Sequence, residues 1–178
     1  MELTQAQKQI LLNVARTSIQ SAVEGKPFPP STSQDEALIR RSGVFVTLRI
    51  ADELRGCIGY VEPLFPLLRA VQEVAVKAAM EDPRFMPLTR KEFGKITIEI
   101  SVLSPISELN NTEDIEIGKH GLVIDAGYRR GLLLPQVATE YNWDRNEFLK
   151  HTSLKAGLSP DAWKRKDVKL FTFTVDKF

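Results

Sequence analysis

Two extended segments meeting at a short polar turn constrain this chain more than any other stretch. Residues 44–61 read VFVTLRIADELRGCIGYV, rich in Val, Ile, Leu and Thr and bounded by Gly43 and Pro63. That is the composition of a β-hairpin turning at Ala51, Asp52 and Glu53. Strand side chains alternate, so the pattern predicts Leu54, Ile58 and Tyr60 on one face and Arg55 with Cys57 on the other. The Arg55 and Cys57 Cα atoms would then stand roughly 6 to 7 Å apart, within reach of a guanidinium for a thiol. Gly56 and Gly59 flank that pair, and glycine inside a strand signals a bulge, a bend or a closely approaching group such as a ligand. A three-residue turn would also set Arg49 opposite Arg55, an arrangement that needs an anion or a Glu between the two charges.

The 178 residues are 43% hydrophobic and 26% charged, enough for a substantial core in one domain over 1–178, with room for two subdomains. A net charge of +1 supplies no large field for nucleic acid or an anionic membrane. The one basic run, Lys164-Arg165-Lys166, is most simply a solvated face. The single cysteine cannot close an internal disulfide, and His120 and His151 complete no zinc-type spacing with it, so no metal site is expected. No secretory leader and no apolar run of about eighteen residues is visible, which gives the expectation of a cytoplasmic protein that makes no use of a membrane.

Along the chain, Thr4 to Gln7 has capping-box spacing, and Ile10, Leu11, Val14, Ala15, Ile19, Ala22 and Val23 recur at helical period up to Gly25. KPFPPSTSQ, 26–34, is a proline-rich loop that Phe28 could anchor, and 35–41 reads as a short helix. Leu67, Leu68, Val71, Val74, Ala75, Ala78 and Ala79 mark a buried helix ended by Pro83. Asp82-Pro83-Arg84-Phe85 is an exposed turn in which Arg84 either caps or salt-bridges, or contacts an anion. Residues 96–103 alternate as a strand, Ile96, Ile98, Ile100 and Val102 on one face and Thr97, Glu99 and Ser101 on the other. Glu99 could partner Arg55 if the two strands are neighbours. Short strands are expected at 115–117, 122–126 and 132–134, helices at 136–141 and 146–156, and one final strand over 168–175 with Phe171 and Phe173 on one face.

No nucleophile elbow, phosphate loop, dinucleotide fingerprint or H-E-x-x-H helix occurs. The remaining candidate is the thiol. A cation beside Cys57 favours the thiolate, the reactive species, so Arg55 is suited to activate it or to hold a carboxylate or phosphate in its planar fork. A single cysteine on a strand is nevertheless more often a small buried hydrophobe. His120, in the loop Gly118-Lys119-His120-Gly121, is either a turn residue satisfied by backbone or a proton acceptor for Cys57.

FVTL, LRGCIG, AAMEDPRF, IEISVLSP, IGKHGL, LLPQVA and KAGL, in this order over nearly the whole chain, resemble the AMMECR domain family. The resemblance implies an α+β fold, a mostly antiparallel sheet with packed helices, divided into a larger and a smaller lobe, with a cleft near Leu54 to Gly59. Its motif positions fall here on Arg55, Gly56, Cys57, Gly59, Asp82, Pro83, Arg84, Phe85, Glu99, Ser101, His120, Gly121, Pro135 and Gln136. The family's prokaryotic members resemble protein A of the AmmeMemoRadiSam gene neighbourhood, which implies a Memo-type protein and a radical-SAM protein as partners. Neither the residues nor the resemblance specifies a cofactor, which stays unknown. Two functions follow as expectations. One is an enzyme or enzyme component acting on an anionic small molecule, nucleotide, RNA or protein. In it Cys57 is the nucleophile, Arg55 the thiolate stabiliser and His120 or Glu99 the base, while Gly56, Gly59, Arg84, Ser101 and Gln136 contact the ligand. The other is a non-catalytic module that docks a ligand or those partner proteins through the same cleft.

Overall fold

A computed structural model describes residues 3–28 and 30–178. Their elements run α1 (Gln5–Val23), α2 (Glu36–Ile39), β1 (Val44–Ile50), β2 (Glu53–Tyr60), α3 (Leu67–Met80), α4 (Arg90–Phe93), β3 (Thr97–Leu103), β4 (Ser107–Glu108), β5 (Gly121–Asp125), β6 (Arg130–Leu133), α5 (Pro135–Glu140), α6 (Arg145–Lys155), β7 (Lys169–Phe173) and β8 (Val175–Lys177). The fold is α+β, with two four-stranded antiparallel sheets, ordered β2-β1-β3-β8 and β4-β7-β5-β6. Each sheet belongs to its own compact unit, 1–103 with 176–178 and 104–175.

In the first unit, alternation on the strands and helical period on α1 and α3 point apolar side chains at one another. Val44, Val46, Leu48 and Ile100 meet Leu11, Ala15 and Ile19 of α1 and Val71, Val74, Ala75 and Ala78 of α3 in one core. The expected capping box starts α1: Thr4 Oγ1 accepts the Gln7 amide and Gln7 Oε1 accepts the Thr4 amide. The loop expected over 26–34 has neither helix nor strand at its described residues, Pro29 lying outside them.

The hairpin turn is tighter than the sequence suggested. Only Ala51 and Asp52 form it, both at positive φ, 48° and 66°, the geometry that matches strand twist in two-residue hairpins. Glu53 already pairs with Ile50.

The second unit packs α6 and Trp143 on β5, β6 and β7, with Leu122, Ile124, Phe148 and Leu149 at its centre. Residues 115–117, expected as a strand, instead follow a 3-10 turn at Thr112–Asp114. The single final strand expected over 168–175 is two strands, β7 in the second sheet and β8 in the first. A sheet change without a proline or glycine to mark it leaves no local signal. No helix among the described residues is long and apolar enough to cross a membrane.

Candidate functional site on the first sheet

A bulge decides where the side chains of LRGCIG go. Val46 pairs with Ile58, Thr47 with Cys57 and Leu48 with Gly56, but Arg49 pairs with Leu54. Arg55 is therefore the extra residue of a β-bulge and does not face Arg49. Its Nε donates to Glu92 Oε1 at 2.9 Å and its Nη2 donates to the Met86 carbonyl at 2.9 Å. Glu92 also accepts the Thr89 amide and hydroxyl at the start of α4. Those contacts, Arg55 first and Thr89 second, pull the Glu92 carboxyl down to about 2. The guanidinium expected beside the thiol is thus committed to Glu92 of α4 and to the Met86 carbonyl in the segment before it.

The cation tied to Cys57 is Arg84. Leu48 and Gly56 are hydrogen-bonded across the hairpin, so the Cys57 amide and carbonyl point to the outer edge of β2. There Asp82 Oδ2 accepts the Cys57 amide at 2.8 Å, and Arg84 Nη2 donates to the Cys57 carbonyl at 3.1 Å. Arg84 also grips both Asp82 oxygens, at 3.0 and 2.7 Å. An acceptor and a donor from one turn take the place of a neighbouring strand, which shields an otherwise open edge. The Asp82 side chain is 2% exposed. The Arg84 guanidinium, and after it the Cys57 amide, hold its carboxyl well below the usual carboxylate range despite that burial.

The Cys57 side chain lies on the sheet face away from the helices. Its Sγ is 3.2 Å from Thr47 Oγ1. Thr47 pairs with Glu99 on β3, and Glu99 meets Lys177 of β8 at 2.9 Å. Cys57, Thr47, Glu99 and Lys177 therefore form one polar row with a member on each of four strands. β1 lies between β2 and β3, so Glu99 is an ion-pair partner of Lys177 rather than of Arg55. Ser101, buried, stands one rung along opposite Phe45.

The space beside both glycines is filled by the protein itself. A Cβ on Gly56 would come within 2.1 Å of the Ala78 carbonyl oxygen of α3, and one on Gly59 within 2.2 Å of the Phe45 ring. Close helix packing and an aromatic cover account for them.

His120 and Gln136 belong to the second unit. His120 Nδ1 accepts the Glu116 amide at 3.2 Å while its own amide donates to the Glu116 carbonyl at 2.9 Å. The ring thus locks its turn, with the proton of the neutral form on Nε2. Gln136 is half-buried in the first turn of α5, and its carbonyl accepts the Thr139 hydroxyl. No group of three or more His, Cys, Asp or Glu able to hold a metal occurs among the described residues.

Thr47 and Lys177 were not singled out as site residues in the sequence. A threonine within an apolar strand was the one available signal for the first. For Lys177, on a strand that the sequence did not separate from its predecessor, there was none.

The AMMECR1 family model matches residues 12–178. The chain belongs to the AMMECR1 family. Its relatives include a protein of Aquifex aeolicus, 45% identical with 94% of this chain and 90% of that protein covered. Protein MJ0810 of Methanocaldococcus jannaschii is 42% identical, with 99% and 91% covered. The crystal structure of uncharacterized protein PH0010 from Pyrococcus horikoshii is similar, with a TM-score of 0.81 at 38% identity over 94% of this chain and 88% of that one. Likeness at this level covers both units, so the two-sheet α+β architecture is that of the AMMECR1 family.

Proposed function

We propose that this AMMECR1-family chain binds a small polar ligand on the outer face of its first sheet, through the row Cys57, Thr47, Glu99 and Lys177. The observation that carries the reading is the row itself. Four strands place a thiol, a hydroxyl, a carboxylate and an ammonium side by side on a face whose neighbouring positions are Phe45 and buried Ser101. Such a row offers donors and acceptors of both charges to a ligand that carries both, an amino acid or a nucleotide being the simplest kinds. Cys57 serves there first as a contact. With Arg55 held by Glu92, thiolate chemistry would draw on Arg84, whose guanidinium reaches the Cys57 carbonyl.

The test is a thermal-shift screen with amino acids, nucleotides and dicarboxylates, since a ligand that binds only the folded form raises its midpoint. A shift that disappears in Glu99→Gln and Lys177→Ala supports the reading. A shift of equal size in both variants, or no shift with any compound, overturns it.

A second reading, docking of a Memo-type or radical-SAM protein in the cytoplasm, is favoured by Met86. That residue is 81% exposed on the turn that Arg55 holds, and an exposed methionine suits an adaptable protein contact. A pull-down in which Met86→Glu retains each partner would remove it.

A further inference from the structure

We propose that the molecule bound by the polar row, on the reading that the row is a binding face, is an acidic amino acid whose side-chain carboxylate is received by Arg49.

Exposure rises along β3 in one direction: Ser101 is buried, Glu99 is half-buried and Thr97 is exposed. At the buried end the Phe45 ring covers Gly59. The row is therefore approached from its Thr97 side. There β1 carries Arg49 opposite Thr97, and β2 carries Leu54 opposite Arg49. Partners across an antiparallel pair project from the same face. Leu54, Arg49 and Thr97 thus make a second row, roughly 6 to 7 Å along the strands from the first.

Arg49 is the unmatched charge on this face. Glu99 is neutralised by Lys177 at 2.9 Å, and Arg55, expected opposite Arg49, is turned away to Glu92. Arg49 Nη1 donates to the Asp52 carbonyl at 3.0 Å, which ties the guanidinium to the hairpin turn, and it has no carboxylate partner among the described residues. Across the neighbouring strands β1, β3 and β8 the face reads cation, anion, cation. One positive charge is in excess.

A ligand of the opposite pattern carries two carboxylates and one ammonium, with one negative charge in excess. Aspartate and glutamate have that pattern, whereas a nucleotide brings several negative charges and no ammonium for Glu99. The spacing assigns the groups. Glu99 and Lys177 touch, as the α-ammonium and α-carboxylate sit on one carbon. Arg49 is the diagonal neighbour of Glu99, with Cα atoms roughly 7 to 8 Å apart, and matches the carboxylate at the end of the side chain. The remaining donors of its fork and the Thr97 hydroxyl receive that group. Leu54, 37% exposed, covers the methylenes between.

The experiment is isothermal titration of the full chain with L-glutamate and L-aspartate. The comparisons are L-glutamine and L-asparagine, which replace the side-chain carboxylate by an amide, glutarate, which lacks the ammonium, and adenosine monophosphate. The expected result is saturable binding of an acidic amino acid, with its amide and glutarate at least about tenfold weaker, as for loss of one charge-assisted bond. Arg49→Gln should erase the preference for the acid over its amide without altering the affinity for the amide. On the unaltered protein, NMR should show the Arg49 and Thr97 amides shifting as the acid is added, with those of Phe148 and Leu149 unmoved. Equal affinity for acid and amide, or an unchanged preference in Arg49→Gln, overturns the acidic amino acid; the polar row survives that result if Glu99→Gln still abolishes binding. Binding of adenosine monophosphate or glutarate alone overturns it in the same way. No binding of any compound at about 10 mM overturns the row and the amino acid together.

Discussion

Asp82 and Cys57, 25 residues apart, are joined by a carboxylate oxygen 2.8 Å from a backbone amide. The Arg84 guanidinium completes the join by holding the Cys57 carbonyl. The edge of β2 at the centre of LRGCIG is thus finished by a side-chain pair and not by another strand. Asp82→Ala would leave the Cys57 amide and Arg84 without their acceptor in a nearly dry position. We expect a loss of about 2 to 3 kcal/mol in urea unfolding, and a change within about 0.5 kcal/mol would show that the clamp does not support the fold.

The same clamp predicts a pH dependence. Asp82 and Glu92 both titrate lower in the folded protein than in the unfolded chain. Their stabilisation is therefore complete above the unfolded carboxylate range, about pH 4, and falls away as the pH drops through it, for Glu92 toward about 2. Urea midpoints between pH 7 and pH 2 should decline more steeply in the wild type than in the Asp82→Asn, Glu92→Gln double variant. Parallel curves would assign acid sensitivity to other groups.

Arg55 is expected to act on stability before it acts on chemistry. With its side chain 13% exposed and bonded to Glu92, a double-mutant cycle of Arg55→Gln and Glu92→Gln should show coupling of about 1 kcal/mol. Ligand shifts assigned to the polar row should persist in Arg55→Gln at a temperature where it is folded. Additive losses, or abolished ligand shifts, would return Arg55 to the site.

Gly56 and Gly94 make a matched pair. Adding a methyl at Gly56 drives it into the Ala78 carbonyl, whereas nothing lies within 4 Å of the same atom at Gly94, which has helical φ of −66°. Gly56→Ala should cost about 3 kcal/mol; Gly94→Ala should be neutral or stabilise by up to about 1 kcal/mol. Thermal midpoints decide both, and a tolerated Gly56→Ala would mean that α3 is free to retreat.

Cys57 should alkylate more slowly than free cysteine in the native protein, because the sulfur is half-buried and shares a hydrogen bond with Thr47. Thr47→Val, nearly isosteric, should raise the iodoacetamide rate. A wild-type rate above that of free cysteine would favour a nucleophile at this position.

Sequence alone determined the pieces whose causes are local. The α1 capping box, the stripe of α3, the two faces of β3 and the pairing of β1 with β2 all follow from period and turn chemistry, and Glu99 and Ser101 were placed on the correct face. The motifs that resemble the AMMECR family set the α+β class. Only the tertiary structure decided which charges meet. Arg55, the extra residue of β2 between Leu54 and Gly56, was withdrawn from Cys57 by the bulge it forms, and a carboxylate 25 residues on took the amide that its turn could reach. The strand order put β1 between Cys57 and Glu99, and β8 brought Lys177 across a gap of 78 residues in sequence from Glu99. Alternation is written into each strand by its own side chains, but register, bulges and neighbours depend on contacts between segments that no single segment encodes.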